Sequence, residues 1–194
     1  MTAITTSPAR TIADRFTTTR ARSVAAVVGF ALLTAGAAQI TFHLPWTPVP
    51  ITGQTFAVLL TGAALGWRRG AMSQGLYVGL GAIGLPFYAD GSGGWAIVTG
   101  ATAGYLVSYP FAAALIGSLA ERRNDRSLIE SIPAMLAGSA VIYLFGVVWL
   151  AHSLHVGANE AIELGMAPFL IGDAVKALAA AAVLPAAWRL VKER

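Results

Sequence analysis

What most constrains this chain is an alternation: long apolar runs, with basic residues gathered at every second boundary between them. Six apolar segments cover residues 24–41, 53–66, 71–84, 96–120, 132–151 and 166–190. About 20 apolar residues cross a bilayer as a helix, and a helix satisfies all of its own backbone hydrogen bonds there. The expected fold is therefore an all-α integral membrane protein of six transmembrane helices. The second and third segments are short and rich in Gly, so a re-entrant hairpin is the alternative for that pair. Basic residues set orientation, because short cytoplasmic loops collect Lys and Arg. Arg10, Arg15, Arg20 and Arg22 precede the first segment, and Arg68 and Arg69 follow the second. Arg122, Arg123 and Arg126 follow the fourth, and Arg189, Lys192 and Arg194 close the chain. The opposite boundaries, 43–52, 85–95 and 152–165, carry only Asp90, Glu160 and Glu163 as charges. Both termini are expected in the cytoplasm, with residues 1–22 a basic tail, disordered over 1–19, and 23–191 the six-helix membrane domain. A cleaved signal peptide is set aside, because the run after Arg22 is long and lacks a small-residue cleavage site.

Composition agrees. The chain is 56% hydrophobic and 11% charged, against about 25% charged in soluble domains. The net charge of +4 does not indicate nucleic acid, since the positive charges lie between apolar runs. There is no Cys, which excludes disulfides and thiolate metal sites. Trp46, Trp95 and Trp149 near outer ends, and Trp67 and Trp188 near inner ends, fit the aromatic belts of a membrane protein.

Only one Lys sits deep in an apolar run: Lys176, with Asp173 three residues earlier on the same helix face. A bare charge at that depth costs about 2.5–3.5 kcal/mol on insertion scales. A buried ion pair is a poor stabiliser compared with apolar packing, which favours a ligand site over a structural pair. If the last helix begins at the start of its apolar run, the pair lies roughly 15 Å along it. Pro45, Pro48 and Pro50 stiffen the first outer loop, which is read as an ordered lid, with Thr52 a candidate cap for the next helix. Gly91, Gly93 and Gly94 allow close approach in the second outer loop, but no Gly-Lys-Ser/Thr follows, so no nucleotide is implied. Thr102 and Tyr105 share a face, in a small-residue run that also suits tight helix packing. Ala31 and Ala35, with Gly36 and Ala38, form a small-residue surface for internal packing or for a second membrane subunit. His43, His152 and His155 lie in outer loops and are read as surface residues, without a metal. No nucleophile–base set is present, so no enzyme is expected.

These motifs in order, Pro48-Val-Pro-Ile-Thr-Gly-Gln-Thr55, Arg69-Gly70, Leu80-Gly-Ala-Ile-Gly-Leu-Pro86, the glycines at 91–94, Gly104-Tyr-Leu106 and Pro168-Phe-Leu-Ile-Gly-Asp-Ala-Val-Lys176, resemble the BioY family. Those are the biotin-binding membrane (S) components of energy-coupling-factor (ECF) transporters. One departure is Ala101-Thr-Ala-Gly-Tyr105, where the family usually has Pro-Thr-Gly-Gly-Tyr. The resemblance implies a six-helix bundle in a prokaryotic plasma membrane that captures biotin from outside. It implies as partners a transmembrane coupling subunit and cytoplasmic ATPases, with the bilayer around them and no nucleic acid. No cofactor is implied; biotin is cargo. Asp173, Lys176, Tyr105, Gln54 and Thr102 are the implied biotin-binding residues, and Pro50, Thr52, Gly93 and Gly94 the pocket or lid. Ala31 and Ala35 are the implied docking face for the coupling subunit. An S component for another vitamin, or a stand-alone secondary transporter, are the alternatives.

Overall fold

The computed structural model describes residues 11–124 and 127–192. Arg10, Arg126 and Arg194, and the first ten residues of the expected tail, lie outside the described residues. The main helices follow the six apolar segments. They are α1 (Arg20–Ala38), α2 (Gln54–Leu65), α3 (Trp67–Ala82), α5 (Ala103–Leu119), α6 (Leu128–Leu154) and α8 (Leu170–Lys192). A single turn, α4 (Trp95–Val98), precedes α5, and a short outer helix, α7 (Ala158–Gly165), precedes α8. Residues 152–165, expected as an outer loop, thus contain a helix. Among the described residues, four helical stretches are long and apolar enough to cross a membrane: Arg20–Ala38, Ala103–Arg122, Leu128–Leu154 and Ala158–Arg189. Of the two short segments, α2 is apolar but has only 12 residues, about 18 Å of helix.

The chain turns from α2 into α3 through one residue, Gly66, at φ 81°, a conformation that favours Gly. The backbone N–H of Trp67 that opens α3 donates to the Glu121 carboxylate at 3.0 Å, joining this corner to the end of α5. An acid at a helix N-terminus is favoured by the exposed N–H groups and the helix dipole. Helix α5 packs against α6, α3 and α2; α8 packs on α6 and α2, and α1 on α3 and α2. The α5–α6 approach is close at Gly104, where an added Cβ would lie 2.4 Å from the Phe145 carbonyl oxygen. The packing reading of that small-residue run therefore holds.

Three expectations need correction. Residues 11–19 are not a loose tail where described: a 3₁₀ turn at Ala13–Arg15 is held by the Arg69 guanidinium, which binds Asp14 and Thr17, and Thr11 is fully buried. Trp188 is buried rather than part of an interfacial belt; Trp46, Trp67, Trp95 and Trp149 are exposed. Ala31 and Ala35 do not form an outward docking face. Ala31 is 0% exposed and Ala35 7%, both within the apolar core that includes Val58, Tyr77 and Tyr109. Their small side chains serve the approach of α1 to α2 and α3. The outward face of α1 is a shallow apolar groove that includes Ala21, Val24, Ala25, Val28, Gly29 and Leu32.

Between α1 and α2 the chain forms a two-residue ribbon. Strand β1 (Thr41–Phe42) pairs antiparallel with β2 (Ile51–Thr52), Thr41 opposite Thr52 and Phe42 opposite Ile51. This is the one β element among the described residues of an otherwise helical fold. It ties the two ends of the proline-rich loop 43–50 together.

Candidate functional site

A cavity of about 230 Å³ lies beneath the 43–50 loop, lined by α2, α5, α6, α8 and the loop before α4. Its walls are mostly apolar and aromatic, including Val49, Ile97, Leu106, Ile142 and Phe169. The loop is pinned as an ordered cover. Thr47 donates from its hydroxyl to the Leu164 carbonyl at 2.7 Å and accepts the Val49 N–H at 3.1 Å, and Val49 is buried. Thr52 also acts at the entrance to α2, its hydroxyl oxygen accepting the Gln54 N–H at 3.2 Å. Thr52 is not the N-cap itself: that position falls to Gly53, which offers no side-chain cap.

The deep end of the cavity carries a bonded ion pair. Oδ1 of Asp173 accepts from Lys176 Nζ at 2.8 Å and from the Thr55 hydroxyl at 3.1 Å. Oδ2 accepts from the Tyr143 hydroxyl at 2.5 Å. Lys176 donates also to Thr55 Oγ1 at 3.2 Å, closing a triangle. Asp173 and Lys176 lie in the first turns of α8, which begins at Leu170 after a 3₁₀ turn at Ala167–Phe169. They are therefore only about 5–9 Å into the helix, not the 15 Å expected from a helix starting at Met166. This places the pair below the lid rather than at mid-span. One turn further on, Leu59 and Ala177 join a second apolar cluster with Ala63, Ile116, Met135, Ala180 and Leu184. That cluster closes the floor.

A second polar group stands beside the first. Gln54 Oε1 accepts from Thr52 Oγ1 at 2.9 Å and from the Tyr109 hydroxyl at 3.2 Å, and its Nε2 donates to the Tyr77 hydroxyl. Buried amides need such partners, and this one is held in one orientation by three side chains. Tyr105 donates to the Gly165 carbonyl at 2.7 Å, fixing the turn that leads into α8.

Of the residues singled out in the sequence, Asp173, Lys176, Tyr105, Gln54, Thr102, Pro50 and Thr52 all line this one cavity. Gly93 and Gly94 do not. They build the loop that frames it: a Cβ on Gly93 would lie 2.2 Å from the Leu85 carbonyl oxygen, and the Gly94 N–H donates to Gly81 at 2.7 Å. Sequence reasoning missed Thr55 and Tyr143, the two neutral partners of Asp173. Each had a signal, since Thr55 ends the proline-rich motif and Tyr143 is a hydroxyl inside the apolar run of α6. It also left His43 as a plain surface residue, although His43 and Asp90 both line the cavity and pair at 3.1 Å. In the same loop Tyr88 is buried and donates to the Val78 carbonyl at 2.6 Å; burial raises its phenol to about 12.

Comparison with known proteins gives a consistent result. A family model described as "BioY family" matches residues 9–193. A probable biotin transporter BioY of Pyrococcus horikoshii is 39% identical over 161 residues, covering 83% of this chain and 93% of the relative. A biotin transporter BioY of Rhizobium etli is 40% identical over 145 residues, covering 71% of this chain and 77% of the relative. Among solved structures, the S component for biotin from an ECF-type ABC transporter superposes with a TM-score of 0.79 at 25% identity, covering 89% of this chain and 92% of that one.

Proposed function

Because the chain belongs to the BioY family, we propose that it captures biotin from the outer side of a prokaryotic cell membrane as the S component of an ECF transporter. Its relatives are transporters, not enzymes. The observation that carries this reading is the lidded cavity, apolar along its walls, with Asp173, Lys176, Thr55 and Tyr143 bonded together at its closed end. Ligand pockets of this kind bind through apolar area and take their specificity from a few placed polar groups. Biotin has an apolar bicycle, a ureido group and a carboxylate on a short chain. The ureido N–H groups need an acceptor and its carbonyl needs a donor, and this cluster holds one carboxylate beside an ammonium and two hydroxyls.

The chain carries no phosphate-binding motif, so energy for uptake comes from partners: a membrane coupling subunit and cytoplasmic ATPases. With Ala31 and Ala35 buried, the exposed groove of α1 at Ala21, Ala25 and Gly29 is the face left for the coupling subunit. Six spans with both termini inside are proposed from the alternation of basic clusters, α2 and α3 forming the two short ones. Residues 1–22 would then be cytoplasmic and 23–191 the membrane domain. Single Cys residues at Ser92 and Asn159 are expected to label in intact cells with an impermeant maleimide, and one at Arg122 only after permeabilisation. Labelling of Arg122→Cys in intact cells would reverse the orientation.

Uptake tests the transport role. Cells lacking their own biotin uptake are expected to accumulate labelled biotin when this chain is expressed with a coupling subunit and ATPases. Accumulation should vanish when the ATPases are inactivated. Unimpaired uptake by this chain alone, collapsed by a protonophore, would instead show a stand-alone secondary transporter.

A further inference from the structure

The cavity has two ends of different exposure. At the closed end the Asp173 and Lys176 side chains are 10% and 20% exposed. At the mouth, His43 and Asp90 side chains are 61% and 57% exposed, and His43 Nε2 meets Asp90 Oδ2 at 3.1 Å. Both mouth residues line the cavity, His43 on the lid and Asp90 on the facing loop. Resting on the biotin reading, we propose that His43 is the residue that recognises the ligand's carboxylate, taking it at the mouth in place of Asp90.

The closed end is unsuited to a second carboxylate. A carboxylate offers acceptors only. Placed among Lys176, Thr55 and Tyr143, it would stand against the Asp173 carboxylate, which already accepts from all three. Like charges at such range are strongly unfavourable away from bulk water. A neutral group with both N–H and C=O suits that end better, which turns a ligand's acid end outward.

Three backbone donors near the mouth are already engaged. The Gly91 N–H donates to Gln39 at 2.9 Å, the Ser92 N–H to Ala89 at 3.1 Å, and the Val49 N–H to Thr47. Among the residues lining the cavity, only His43 and Lys176 can present a cationic donor, and Lys176 is committed at the other end. His43 already holds a carboxylate, that of Asp90, which marks where a free acid would sit. Because His43 rides on the lid, exchanging Asp90 for the ligand's acid would tie the closed lid to its cargo.

The test is equilibrium binding of biotin and of biotin methyl ester to purified protein. The probes are the unmodified chain, His43→Leu, Asp90→Asn and Lys176→Met, with melting curves to confirm folding. The unmodified protein is expected to prefer the acid over the ester by about tenfold, the scale of one charge-assisted hydrogen bond. His43→Leu should lose that preference by weakening acid binding alone, while Asp90→Asn should retain it. An unchanged preference in His43→Leu, or equal losses for acid and ester, would overturn the proposal. So would a preference abolished by Lys176→Met and kept in His43→Leu, which would place the acid at the closed end. If the unmodified protein binds neither compound, the biotin reading itself fails, and this proposal with it.

Discussion

Asp173→Asn and Lys176→Met are each expected to weaken biotin binding by at least tenfold, about 1.4 kcal/mol, with little change in the melting temperature of the ligand-free protein. Removing one partner of a fully buried pair normally costs about 3–5 kcal/mol, because a bare charge is left in a low dielectric. Here the survivor is not bare. In Lys176→Met, Asp173 keeps the hydroxyls of Thr55 and Tyr143. In Asp173→Asn, Lys176 keeps Thr55 and faces a cavity that opens at its mouth. The loss therefore falls on the ligand, which meets a mispaired cluster. Lys176→Arg is also expected to weaken binding, since a planar fork does not replace a compact ammonium in a triangle of this size. The measurement is affinity and ligand-free melting on the same preparations. Equal destabilisation with and without biotin, at unchanged affinity, would make the pair structural.

Ala31→Trp is expected to unfold or strongly destabilise the bundle, whereas Gly29→Trp should leave folding and biotin binding intact. Ala31 is 0% exposed where α1 meets its neighbours, and overpacking a tight core typically costs about 1–3 kcal/mol, with a change from Ala to Trp at the severe end. Gly29, two residues away, has nothing within 4 Å of where its Cβ would be. A ring there extends into the groove proposed for the coupling subunit. Gly29→Trp should therefore depress uptake while the purified protein still binds. Monodispersity in detergent and melting temperature check the first part, and uptake with the partner subunits checks the second. A well-folded Ala31→Trp protein that binds biotin but does not transport would restore the original docking face.

The contrast between these two sites shows what the sequence could and could not tell. Apolar length is a local property, so the long apolar helices were legible from it. Which side of α1 turns inward was not. That helix is apolar nearly all round, and Ala31 and Gly29 look equally suited to close approach until α2 and α3 are placed beside it. Helix α7 escaped notice because it is only eight residues long and mixes Glu160 and Glu163 with its apolar residues. Its presence moved the start of α8 to Leu170 and so raised Asp173 and Lys176 towards the lid. That pair was legible because two charges in an apolar run stand out. Their partners were not: Thr55 reaches Asp173 across 118 residues of sequence and Tyr143 across 30. The pairing of His43 with Asp90 was hidden for the same reason, since each residue alone reads as an ordinary loop residue.

Biotin is proposed to sit in this lidded cavity against the Asp173–Lys176 cluster. Calorimetric titration of the purified, folded protein with biotin tests it most directly. One site per chain with nanomolar or tighter affinity, about −12 kcal/mol, is expected, weakened at least tenfold in Asp173→Asn. No heat at micromolar biotin, or full affinity in the Asp173→Asn protein, would contradict it.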